Sequence, residues 1–158
     1  MPESVGGIPI HPLVVHAVVV LIPLSALGVM VLTLVPRWAR QYGTLVAVAA
    51  FVAVGAIPVA THSGETLKAA LPQRPEIDHH AAIGHDMLFL GPPLFIAAVA
   101  MWWVGRCDAR GRPLGRGLQV TVRVLSFLAA AAALGWVLRV GHSGAETVWK
   151  GVGTTPVG

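Results

Sequence analysis

Charge is what this sequence lacks most. Only 11% of its 158 residues are Asp, Glu, Lys or Arg, against about 25% in a soluble domain. So little charge cannot cover a water-facing surface, which all but excludes a soluble enzyme. Cysteine is nearly absent too. Cys107 stands alone, so no disulfide scaffold is possible, and a lone thiol has no ligand partner. Polar low-complexity stretches are missing, and with 55% hydrophobic residues the chain is no candidate for disorder. Its length fits a single domain over 1–158. What remains is an integral membrane protein, with a mean hydropathy of +0.73.

A helix needs about 20 mostly apolar residues to cross a bilayer. Four runs qualify, at about 12–35, 43–61, 81–104 and 118–140. The fourth carries Arg123 and Arg139 near its ends, where each guanidinium can snorkel to an interface. The first run reads as a retained span, because it lacks a basic leader and exceeds the length of a signal core. The expected fold is therefore all-α, a polytopic membrane four-helix bundle.

The net charge of +4 does not point to nucleic acid, since the arginines of the two basic connections lack interleaved aromatics and a recognisable module. Arg37 and Arg40 follow the first span, and Arg106, Arg110, Arg112 and Arg116 follow the third. Glu3, Glu65, Glu76, Asp78, Asp86 and Glu146 all fall on the opposite side. The positive-inside rule then places the arginine loops in the cytoplasm and both termini outside the plasma membrane. The arginines also suit contact with anionic lipid.

The chain repeats itself. His11 and His16 match His80 and His85, and Pro23 matches Pro92, all at an offset of 69 residues. His62-Ser63-Gly64 matches His142-Ser143-Gly144 at an offset of 80. Two tandem helical hairpins, about 8–65 and 77–146, are expected. A pseudo-twofold axis along the membrane normal would relate them. Pro58 lies four residues before His62 and should kink the second span.

All seven histidines fall toward the outer side. Pro12 suits a first helical position, which makes His11 cap-like. Gly64 and Gly144 read as helix-ending positions, which sets His62 and His142 in last turns. His16, His62, His85 and His142 then come from four helices at similar depth, and imidazoles projecting between helices are a common way to build a cofactor site. One reading is haem b on a symmetric pair, His16 with His85 or His62 with His142, with Arg139 facing a propionate. The other is zinc, copper or iron, held by these histidines with Glu65, Glu146 and Asp86. The sparing alternative is a non-catalytic subunit whose histidines only satisfy hydrogen bonds. Ser63 and Ser143 suit helix termination better than nucleophilic chemistry.

The stretch Gly7-Ile8-Pro9-Ile10-His11-Pro12-Leu13-Val14-Val15-His16, the His-Ser-Gly pair and the closing Gly151-Val152-Gly153 resemble a bacterial family of four-helix membrane domains of unknown function. Some members of that family are joined to a Rieske iron–sulfur module. The resemblance implies membrane redox work, with any iron–sulfur partner here a separate protein. The expected function is an electron carrier more than a stand-alone enzyme, with membrane lipid and a quinone or redox protein as partners. A homo-oligomer stays open.

Overall fold

The first apolar run begins its helix at Ile10, and the chain scarcely leaves helix thereafter. The computed structural model describes residues 4–5 and 8–149, with side chains over 10–149. Glu3, Gly7 and the closing Gly151-Val152-Gly153 lie outside the described residues. A two-residue antiparallel pair, β1 (Ser4–Val5) with β2 (Ile8–Pro9), leads into α1 (Ile10–Leu34). Then follow α2 (Pro36–Ala70), α3 (Pro75–His85), α4 (Met87–Ala109) and α5 (Arg116–Trp149). Four helical stretches are long and apolar enough to cross a membrane, the third being α3 and α4 together.

α1 packs on α2 and α5, and α4 packs on the same two. The helices thus form a ring in the order α1, α2, α4, α5. That order is unchanged when the first hairpin is exchanged for the second, as a twofold between tandem hairpins requires. Across the ring, α1 also touches α4. Val35 alone joins α1 to α2, with Pro36 opening α2, where its missing N–H has no helical partner to lose.

The core is built from small residues. Ala26, Ala50, Ala53, Ala98, Ala130 and Ala133 are fully buried, while Leu24, Phe51, Phe89, Leu125 and Leu128 face outward, each more than half exposed. In lipid, large side chains gain nothing by turning inward, so association rests on close backbone approach and dense packing. Gly105 carries this furthest. Its Cα lies against the Ala39 carbonyl and Arg40 nitrogen of α2, where a Cβ has no room.

Three sequence expectations change here. α2 and α5 run on through Gly64 to Ala70 and through Gly144 to Trp149, so neither glycine ends a helix. The physical reason is packing above them, described below. His11 is not a cap, because α1 already includes Ile10. Pro12 falls in the first turn, where it removes no ladder bond. The third span is also not one helix. Its ladder slips at Asp86, whose carbonyl accepts both the Phe89 N–H (3.0 Å) and the Leu90 N–H (3.1 Å). Pro23, Pro58, Pro92 and Pro93 all lie within continuous helices.

Candidate functional site

The buried positions of α2 step through Ala53, Ile57, Ala60 and Ser63. Those of α5 step through Ala130, Ala133, Val137, the half-buried Val140 and Ser143. Intervals of three and four residues keep one face toward the core. A residue one step off that phase turns by about 100°. His62 and His142 are such residues, and both are exposed. Their Ser neighbours point inward in their place.

Each inward Ser-Gly pair receives an imidazole from the partner helix of its own hairpin. In the first hairpin the His11 Nδ1–H donates to the Ala60 carbonyl at 2.9 Å, with Ser63 Oγ at 3.4 Å. Ser63 donates to the same carbonyl at 3.1 Å. The ring lies over Gly64 so closely that a Cβ there would stand 2.8 Å from His11 Cε1. In the second hairpin His80 Nδ1 lies 2.9 Å from Ser143 Oγ. A Cβ on Gly144 would stand 3.1 Å from His80 Cε1. The two glycines are therefore seats for rings, not helix stops.

The hydrogen bonds assign the tautomers. A backbone carbonyl only accepts, so His11 carries its proton on Nδ1. The single hydroxyl proton of Ser143 goes to the Val140 carbonyl at 2.8 Å, so Ser143 accepts from His80 Nδ1–H. Both rings therefore present Nε2 as a lone pair. Fixing Nδ1–H in this way is how an outer partner orients an imidazole ligand. Each ring is half-buried at one end of the bundle, the histidine end. α1 and α3 supply the pair.

The histidines singled out from the sequence are placed differently. His16 is exposed and turns its Nδ1 back to the Pro12 carbonyl. His85 reaches Glu65 of α2 at 2.7 Å. His142 pairs with Glu146 at 3.4 Å, one turn along the unbroken α5, and its side chain is 78% exposed. Asp86 is exposed at the slip between α3 and α4. Glu65 thus serves His85, not its neighbour His62. Among the described residues no three His, Cys, Asp or Glu side chains are placed to share a metal ion.

Tethers hold α3 in place. Trp136 Nε1 donates to the Ile83 carbonyl at 2.9 Å, and Lys68 pairs with Asp78 at 2.7 Å. Arg139 is exposed, its guanidinium 5.0 Å from the Trp136 ring centroid. The signal that would have found His11 and His80 was legible: the core phase of α2 and α5 reaches the Ser-Gly pairs and skips the adjoining histidines.

Together these features define a four-helix membrane protein with a twofold-equivalent histidine pair at one end. The chain belongs to the DUF2231 family, described as a predicted membrane protein, whose model matches residues 7–156. No curated protein and no solved structure matches it.

Proposed function

We propose that this protein is a membrane electron carrier that holds haem b through His11 and His80. One observation carries the reading: two equivalent imidazoles, each tethered at Nδ1, each with the Nε2 lone pair left to coordinate. A haem supplies four equatorial nitrogens and asks two axial imidazoles of the protein. A bare zinc ion asks three or four protein ligands, so a donor set of two suits haem better than the divalent-metal reading. When bound, haem would supply one-electron chemistry. The chain's own residues orient the two rings and surround them with apolar helix. Arg139, at the same end, supplies a cation suited to a propionate. In this reading His16, His62 and His142 are surface residues, and His85 braces α3 against α2. With the arginine loops cytoplasmic, the histidine end opens to the extracytoplasmic side, toward a quinone or a redox protein.

The test is an absorption spectrum of the full chain, purified in detergent after expression with ample haem, oxidised and reduced. The expected result is a Soret band that shifts on reduction. It should be lost in His11→Ala and in His80→Ala, and kept in His16→Ala, His62→Ala and His142→Ala. Absence of a Soret band in the folded protein overturns the proposal and leaves the two seats as clasps between helices. A band that survives both His11→Ala and His80→Ala overturns the ligand assignment.

A further inference from the structure

The end of the bundle opposite the histidines has a chemistry of its own. Arg37, Arg40, Arg106, Arg110, Arg112 and Arg116 are all exposed there. The acid nearest them in sequence, Asp108, accepts from Gln119 Nε2 at 3.2 Å. Among the described residues none of the six arginines forms an ion pair.

The fold brings two of them to one point. At the Gly105 contact the backbones of α2 and α4 meet, and Arg40 contributes its own nitrogen to that contact. Arg106 is the next residue along α4. Both arginines therefore stand at a single helix crossing, one from each helix. Aromatic residues flank it. The Arg106 guanidinium lies 5.5 Å from the Trp102 ring centroid, and Trp102 Nε1 donates to Thr44 Oγ1 at 3.0 Å. Trp38 and Tyr42 meet edge to face on α2, with centroids 5.8 Å apart. Tryptophan and tyrosine mark the headgroup level of a bilayer.

We propose that the crossing of α2 and α4 binds the phosphodiester headgroup of an anionic phospholipid between Arg40 and Arg106. A topology signal needs only positive charge, and lysine would serve. The chain's two lysines are Lys68 and Lys150, and the arginine connections contain none. Arginine is the residue whose planar fork matches a phosphate. The close backbone approach at Gly105 roots the two arginines at one crossing, within reach of a single phosphate for side chains of this length, and the outward apolar residues below them suit acyl chains. This proposal is independent of what the histidines hold.

Thermal unfolding and native mass spectrometry of the detergent-purified full chain test it. Phosphatidylglycerol should raise Tm and stay bound at a defined number per chain, while phosphatidylcholine at the same concentration should not. Arg40→Gln with Arg106→Gln should weaken lipid retention about fivefold per arginine. Arg74→Gln, at the other end, should leave it unchanged. Arg40→Lys with Arg106→Lys should retain less lipid than the native chain, and this variant decides the matter should the Gln pair fail to fold. Equal retention of both lipids overturns the proposal. So does retention unaffected by the Gln and Lys pairs, a Tm rise reproduced by inorganic phosphate alone, or tighter binding of a short oligonucleotide than of lipid.

Discussion

The two hairpins build the same seat by different means. His11 stands on α1, a single uninterrupted helix from Ile10 to Leu34, and its position follows from the packing of α1 on α2. His80 stands on α3, a short helix set off from α4 by the slip at Asp86. That second seat is braced by Trp136 to Ile83, His85 to Glu65 and Lys68 to Asp78. Their acceptors differ as well. His11 donates first to a backbone carbonyl, whereas His80 donates to a hydroxyl. A repeat thus conserves the placement of a ring more strictly than the contacts that secure it.

Alanine at the two seat glycines should break the equivalence most. A Cβ on Gly64 enters the His11 ring, and overpacking of this kind costs about 1–3 kcal/mol. At Gly144 the intrusion is smaller, and the gain in helix propensity, about 1 kcal/mol, offsets it. Gly64→Ala should therefore lower the unfolding temperature in detergent and Gly144→Ala should leave it level or raise it. Equal losses would show that the rings are seated alike.

Removing the serine hydroxyls should have a smaller effect, in the opposite order. Ser143→Ala takes away the nearest acceptor of His80 Nδ1–H, at a cost of about 1 kcal/mol. Ser63→Ala leaves His11 its Ala60 carbonyl, and the cost should be under about 0.5 kcal/mol. Denaturant unfolding of the two variants side by side checks this. A larger loss for Ser63→Ala would reverse the assignment of acceptors.

The smallest effect should come from Glu65→Gln. Its ion pair with His85 is about half exposed, and such pairs contribute about 0.2–1 kcal/mol. The change should act on one seat only. In nitrogen-15 spectra of the imidazoles the His80 signals should move while those of His11 stay. Movement of both would mean that α3 and α1 respond as one body.

Much of the architecture is legible in the sequence. Four apolar runs, arginine concentrated in two connections and the offset repeats led to an all-α bundle of two hairpins, and the helices form that bundle. Helix ends were not legible. Gly64 and Gly144 carry the mark of a helix stop, yet glycine is equally the residue over which a ring can lie flat. Choosing between the two needs the neighbour. The same holds for the histidines. His62 and His142 lie beside the Ser-Gly pairs in sequence, but one residue along a helix is a different face.

Composition and the spacing of apolar runs were enough to determine that this chain spans a membrane four times as two related halves, because a bilayer admits few ways to satisfy a backbone. Which imidazoles turn inward was decided only by tertiary packing. Rotation about a helix axis has no barrier of its own, and its setting comes from the residues that meet across the interface: Ser63 and Gly64 beneath His11, Ser143 and Gly144 beneath His80.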